Sequence, residues 1–265
     1  MLRIDPSLAL VWRTPTCVQV GVPEALVVAE LSPAQEHLLV ALRAGVSAVA
    51  FDAIARMQGL GPADVATFLD WFDACLERPA SPRLRVGIDG LGATADWLGY
   101  LLGSFCEVRS VHGAAPQWMP DLVVVLGSYA IAPARAGAWL SRDVPHLGVV
   151  LADRGVRVGP LVIPGSSACL TCGELARADA DSSWRGILAQ LHGKPAGVET
   201  QLIAVEVASV VTRWVQAFGR GDESLSVGEV LTLEAPTGLW TSDELSPWPK
   251  CSCLALPENG MAAAA

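Results

Sequence analysis

Leu84-Arg-Val-Gly-Ile88-Asp89-Gly90-Leu91-Gly92-Ala93-Thr94-Ala95 decides the fold of this 265-residue chain. An apolar run from Leu84 to Ile88 reads as a buried strand, and a helical pattern follows through Leu102. Between them Gly90 and Gly92 allow a tight turn, and Ala95 allows close packing of the helix: strand, glycine turn, helix, in the order a dinucleotide-type fold requires. The spacing alone is a weak signal, and its surroundings strengthen it. Glu107 to Val111 reads as a second strand, and Asp121 to Leu126 is a continuous apolar run typical of a buried parallel strand. A helix around Pro133 to Leu140 and a strand from His146 to Leu151 complete a second β-α-β unit. An α/β fold with an open, doubly wound sheet is expected.

Beyond that sheet the composition changes. Arg157 to Ile163 leads through Pro164-Gly165 to Cys169-Leu-Thr-Cys172, and a second pair, Cys251-Ser-Cys253, lies about eighty residues on. C-x2-C spacing brings two thiolates to one ion, and zinc accepts four tetrahedrally, so Cys169, Cys172, Cys251 and Cys253 read as a structural zinc site. Four thiolates leave no open coordination position, which disfavours catalysis at the metal. Thioredoxin-like chemistry is disfavoured because no such motif follows a first strand. One polar helical stretch is expected from Cys172 to Leu191, a long helix from Glu199 to Phe218 capped by Gly219, and two closing strands, Val227 to Glu234 and Gly238 to Asp243.

Upstream, Arg78 to Arg85 carries two prolines and a serine and reads as a linker. Before it come three short strands, Leu8 to Trp12, Cys17 to Val20 and Ala25 to Glu30, and three helices. Ser32 with Pro33 starts the first helix, which runs to Gly45; Ser47 to Met57 makes the second. Pro62 opens the third, with Val65, Phe68, Leu69, Phe72 and Leu76 on one stripe. The set resembles a winged helix-turn-helix over residues 1–80. Charge argues against its usual function, DNA binding: the third helix carries Asp64, Asp70, Asp73 and Glu77 against Arg78 alone. Trp71 falls off the core stripe. It either lines a groove between this helix and an edge strand, packs on the neighbouring domain, or caps the core.

A hydrophobic content of 52% is ample for two domains, and the net charge of −9 repels phosphate backbones and anionic membrane surfaces. Nucleic acid and membrane are therefore not expected as partners. The longest apolar candidate, Leu202 to Val211, is short and interrupted by Glu206, so no transmembrane helix is expected. No signal peptide is evident, and Cys17, Cys75 and Cys106 fit a reducing cytoplasm as ordinary buried thiols.

Four segments carry a family resemblance: Val158-Gly-Pro-Leu-Val-Ile-Pro-Gly165, Cys169-Leu-Thr-Cys172, Arg177-Ala-Asp179-Ala-Asp181-Ser-Ser-Trp184, and Trp248-Pro-Lys-Cys251-Ser-Cys253. Together they resemble the ThiF-like (ubiquitin-activating-type) superfamily, and within it the cyclodehydratase partner proteins of ribosomal peptide (RiPP) natural-product biosynthesis. The resemblance spans most of residues 84–255, and the N-terminal unit resembles the precursor-recognition element that such proteins carry. It implies that a leader peptide adds as a strand beside the third N-terminal strand and against the third helix, which assigns Leu26, Val27, Val28, Phe68, Trp71, Phe72 and Cys75 to peptide binding. It also implies a separate YcaO-type cyclodehydratase as partner, which would form azolines from Cys, Ser or Thr.

The chain departs from adenylating members of that superfamily. They hold the ATP ribose with an acid at the end of the second sheet strand, where Val111-His112-Gly113 stands here. They also need an aspartate after the third long strand, where this chain has Leu126-Gly127-Ser128-Tyr129. Without these carboxylates little holds a metal-bound triphosphate. ATP is not expected to bind, and Gly90, Gly92 and Ala95 are read as a vestigial nucleotide loop.

No histidine finds a nucleophile: His37 lies in a helix, His146 begins a buried strand, and His112 and His192 read as loop residues. Glu206 is expected to pair with Arg213, and Glu174, Asp179 and Asp181 to form solvated surface. The leading expectation is a non-catalytic cytoplasmic scaffold of two domains, 1–80 and 84–255, with a flexible tail over 256–265 and a possible homodimer. An adenylating enzyme is the alternative, and a winged-helix transcription regulator a distant third.

Overall fold

The computed structural model describes residues 1–77, 83–113, 118–222 and 227–254. The chain forms two compact units, Met1–Ser81 and Pro82–Ala265. Most of the expected linker and all of the expected tail lie outside the described residues.

The first unit joins a three-stranded antiparallel sheet, β1 (Leu10–Trp12), β2 (Cys17–Val20) and β3 (Val27–Glu30), to helices α1 (Pro33–Ala44), α2 (Ala48–Met57) and α3 (Pro62–Phe72). Local sequence sets the helix starts. Ser32 and Gln35 form a reciprocal capping box at α1, and the Ser47 side chain accepts the Ala50 N–H at α2. One core unites the unit, with Val18, Val20, Leu38, Leu42, Phe51, Phe68 and Phe72 fully buried. α3 stops at Phe72, earlier than the stripe through Leu76 suggests. A 3-10 turn over Asp73–Cys75 follows, and Leu76 pairs with Ile4 as an isolated bridge.

The second unit is built on a seven-stranded mixed sheet. Its strands are β4 (Arg85–Asp89), β5 (Glu107–Ser110), β6 (Leu122–Ser128), β7 (His146–Leu151), β8 (Gly155–Val162), β9 (Glu229–Glu234) and β10 (Leu239–Glu244), in spatial order β10-β9-β8-β7-β6-β4-β5. Only β5, β4, β6 and β7 run parallel; β8, β9 and β10 are antiparallel additions. The doubly wound expectation thus holds for one half of the sheet. Three residues, Ala152 to Arg154, join β7 to β8, and a parallel crossover needs a dozen or more.

Strand alternation divides the core between two faces. Leu122, Val124 and Leu126 face α4 (Ala93–Leu102) and α8 (Gln201–Gly219), while Val123 and Val125 join Ala136 and Trp139 of α5 (Pro133–Leu140). α8 has the length and composition to cross a membrane, yet Ile203, Val207, Val211 and Val215 are packed in the first of these cores. The polar stretch expected as one helix is two, α6 (Leu170–Ala180) and α7 (Trp184–Leu191), because Asp181 accepts the Ser183 N–H and turns the chain.

Candidate functional site

The structure brings the two cysteine pairs together. Cys169 caps the start of α6 and Cys172 lies in its first turn, while Cys251 and Cys253 arrive after β10. Sγ–Sγ separations are 3.8 Å for Cys169–Cys172, 3.6 Å for Cys169–Cys251 and 3.5 Å for Cys172–Cys253, with all four sulfurs within 4.8 Å of one another. Thiolates at about 2.3 Å around a tetrahedral ion stand about 3.8 Å apart, whereas a disulfide needs about 2.05 Å. The donor set fits a metal ion. The Trp248 N–H donates to Cys172 Sγ at 3.3 Å, the kind of outer contact that fixes a ligand's orientation. Burial foremost, and then the charge of Cys172, push the Cys169 thiol up, a penalty that a divalent cation among the sulfurs would reverse. Val162 and Ala168 close the site on its inner side.

Of the acids beside this cluster, Asp179 and Asp181 are exposed as expected, and Glu174 is not. Glu174 is half-buried: its Oε1 accepts from Arg177 Nη1 at 2.7 Å and its Oε2 from Trp184 Nε1 at 2.8 Å, with Arg157 Nη2 3.7 Å away. Asp179 pairs with Lys250 at 2.7 Å, tying α6 to the second cysteine pair. Glu206 accepts from Trp240 Nε1 at 2.8 Å, so α8 is fastened to β10, and no Glu206–Arg213 ion pair forms.

The glycine turn is built tightly and is already occupied. A Cβ on Gly90 would lie 2.6 Å from Leu126 Cβ. Gly92 has φ +108°, and a Cβ there would lie 2.7 Å from the Glu199 carboxylate. Glu199 Oε1 accepts the Thr94 N–H at 2.9 Å, so this chain's own carboxylate sits on the α4 N-terminus, where such turns ordinarily offer N–H groups to an anion. Glu199 was expected inside the long helix. It stands just ahead of it because Thr200 is the N-cap, its Oγ1 accepting from Ile203. Ala95 packs against the core beside α8, as close helix packing requires.

Asp89, at the end of β4, is buried and saturated. Oδ1 accepts from Arg135 Nη2 at 2.8 Å and from His112 Nδ1 at 2.9 Å; Oδ2 accepts from Trp139 Nε1 at 3.0 Å and Arg135 Nε at 3.3 Å. Burial pushes its carboxyl up, but these donors outweigh it and hold it below the usual carboxylate range. Arg135 also donates to the Leu126 carbonyl at 2.9 Å, bridging β4 and β6. His112 is therefore a partner of Asp89 rather than an idle loop residue.

The expected peptide-binding residues divide in two. A cavity of about 470 Å³ is lined by Leu26, Val27, Val28, Ala29, Glu30 and Trp71, with Leu26, Val28 and Trp71 exposed. Phe68, Phe72 and Cys75 are fully buried and do not line it. Phe68 and Phe72 of α3 and Cys75 of the following 3-10 turn belong to the core, where Phe68 supports Trp71 at a ring-centroid distance of 6.3 Å. β3 is an edge strand. Leu31 donates to Thr16 O and the register pairs Ala29 with Val18, so the backbone groups of Val28 and Glu30 point away from β2 toward the open edge.

No family model matches this chain, and no curated protein matches it. Solved structures do. A heterocyclase in complex with substrate and cofactor matches with TM-score 0.70 at 16% identity, covering 95% of this chain and 39% of that one. E. coli MccB, solved alone and with ATP, matches with TM-score 0.59 at 12% identity, over 97% of this chain and 98% of MccB, for the structure solved alone. A chain of the E. coli microcin synthetase McbBCD complex with pro-MccB17 bound matches with TM-score 0.57 at 14% identity, over 96% and 99%. This chain thus spans about two fifths of the length of that heterocyclase. What it shares with these proteins, at such identities, is the fold.

Proposed function

We propose that this chain is a leader-binding scaffold, which presents a ribosomally made precursor peptide to a separate YcaO-type cyclodehydratase for azoline formation. The observation that carries the reading is the groove beside β3. It combines an unpaired strand edge, which supplies backbone hydrogen bonds to any extended peptide, with an apolar wall of Leu26, Val28 and Trp71 for side-chain selection. On this reading the first unit is a winged-helix precursor-recognition element, and the second is a ThiF-like domain clamped by structural zinc at Cys169, Cys172, Cys251 and Cys253. Similar folds occur in a heterocyclase solved with substrate and in a microcin synthetase complex solved with pro-MccB17, which supports the assignment.

The protein's contribution is concentration and orientation of the precursor. Adenylation is the alternative reading, favoured by the likeness to MccB, which has been solved with ATP. Against it, the Glu199 carboxylate holds the Thr94 N–H on the glycine turn, and Asp89 is consumed by Arg135, Trp139 and His112.

Calorimetric titration with the leader peptide of a precursor encoded beside this gene tests the proposal. Saturable binding that weakens about tenfold or more in Trp71→Ala is expected. Pyrophosphate exchange into ATP, or absence of leader binding by a folded protein, would overturn it.

A further inference from the structure

A second cavity, of about 180 Å³, lies in the larger unit, between α6 and the face formed by β7, β8 and β9. One wall is apolar, with Ile131, Val150, Pro160, Leu170 and Leu245. Charge is also present inside it: Arg157 from β8 and Arg177 and Glu174 from α6 line the same space.

Those three residues do not balance. Glu174 is the only acid among them, and both its oxygens are engaged at close range, one by Arg177 and the other by Trp184. Arg157 has a side chain only 24% exposed, and its acidic neighbour is Glu174 at 3.7 Å, beyond hydrogen-bond length. A guanidinium carries five N–H donors in a planar fork. Among the described residues Arg157 makes no hydrogen bond with any of them. Burial foremost, then the like charge of Arg177, bring the guanidinium down to about 10, the sign of a cation short of a counter-ion. The charges that act on the Arg157 guanidinium are Arg177 and Glu174, two cations against one anion at the buried end, while Asp243 and Glu244 are exposed to solvent on the β10 side.

We propose that this cavity is a binding site for a small aliphatic monocarboxylate, whose carboxylate pairs with the Arg157 fork and whose short tail lies against the apolar wall. A carboxylate matches the fork with two parallel N–H···O bonds. A single charge suffices for neutrality, and Asp243 and Glu244, exposed at the β10 side of the cavity, disfavour a doubly charged anion such as phosphate. The volume is below the ~300 Å³ at which ordinary drug-sized pockets begin, which restricts the ligand to a few carbon atoms. This site is separate from the β3 groove and does not depend on the scaffold reading.

Isovalerate and its neutral isostere isovaleramide are the probes. Titrated into the purified full-length protein and followed by two-dimensional NMR, isovalerate is expected to give saturable shifts at the amides around Arg157 and α6, and the amide to bind about tenfold or more weakly. Arg157→Met is expected to abolish the carboxylate preference. Because the comparison of acid with amide uses the unaltered protein, a variant that fails to fold does not decide the matter. Equal binding of acid and amide, or no saturable shift with isovalerate, overturns the proposal.

Discussion

The Glu199 carboxylate accepts the backbone N–H of Thr94 at 2.9 Å and lies against Gly92, so a residue ahead of α8 fills the anion position of the β4–α4 turn, 105 residues away in sequence. It works as a side-chain cap supplied from a distance: the N-cap of α4 is Gly92, which has no side chain of its own to cap the helix. Glu199→Ala should therefore cost about 1–2 kcal/mol, and Glu199→Gln, which keeps an acceptor oxygen, less than half of that. Urea unfolding of the three proteins reads the order directly. Equal stabilities would show that the contact contributes nothing.

Asp89 carries the larger stake, at the C-terminal end of β4 just ahead of the same turn. It is buried with four donors, so Asp89→Asn leaves the Arg135 guanidinium without its anion and should destabilise by about 3 kcal/mol. Asp121→Asn removes the partner of Arg85, a pair more than a third exposed, and should cost no more than about 1 kcal/mol. The folded-state pKa of Asp89 is depressed, so its contribution is present above the unfolded value of 3.8 and is lost as pH falls through the folded one. Chemical denaturation of both variants at neutral pH tests the ranking.

The convergence of the four cysteines predicts that stability depends on metal. Elemental analysis should return about one zinc per chain, and chelation should lower the melting temperature by several degrees or more, because binding energy at such a site is folding energy. Cys172→Ser removes the ligand that Trp248 orients and should lose the ion, leaving the first unit's leader affinity unchanged. A protein free of metal, with unchanged melting after chelation, would reject the clamp.

What sequence could reveal here depended on whether the relevant chemistry was local. C-x2-C and C-x-C spacing names its own partners, and the four sulfurs indeed converge. Trp71 was separable from the core by its position on the helical wheel, but Phe68 and Phe72, at 0% exposure, mark how wide the buried stripe of α3 is. The antiparallel half of the sheet had a legible signal in the three residues between β7 and β8, as did the break between α6 and α7 in Asp181-Ser-Ser. Glu199 on Gly92 and the Asp89–Arg135–Trp139 set had none. Their partners are brought together only by the packing of α8 and α5 on the sheet.

The β3 edge offers a test of strand addition that changes one residue of the groove wall and keeps Leu26 and Trp71. The Val28 N–H points away from β2, so Val28→Pro removes a donor from the open edge without breaking a ladder bond, a place where an edge strand tolerates proline. Leader affinity should fall about tenfold, the worth of one to two backbone hydrogen bonds, with melting temperature nearly unchanged. Val18→Pro would break the ladder itself and serves as the control that unfolds the unit. Unaltered affinity in a folded Val28→Pro protein would mean that the leader does not add as a strand.

His146 should make the second unit sensitive to mild acid. It is fully buried in β7, its Nδ1 hydrogen-bonded to the Val144 carbonyl at 2.8 Å and its Nε2 without a partner. Burial lowers its pKa, and the Val144 carbonyl only partly offsets this, so the native state keeps the ring neutral where the unfolded chain takes up a proton. The sign follows: the unfolded state binds more protons below its own value of 6.5, and stability falls as pH drops from 6.5 toward the folded-state pKa. His146→Asn keeps a donor near the Nδ1 position and cannot titrate. It should be less stable at pH 7.5 by about 1–3 kcal/mol for the lost volume, yet lose less further stability than the unaltered protein between pH 7 and pH 5. Parallel pH profiles for the two proteins, measured by chemical denaturation, would show that the acid sensitivity arises elsewhere.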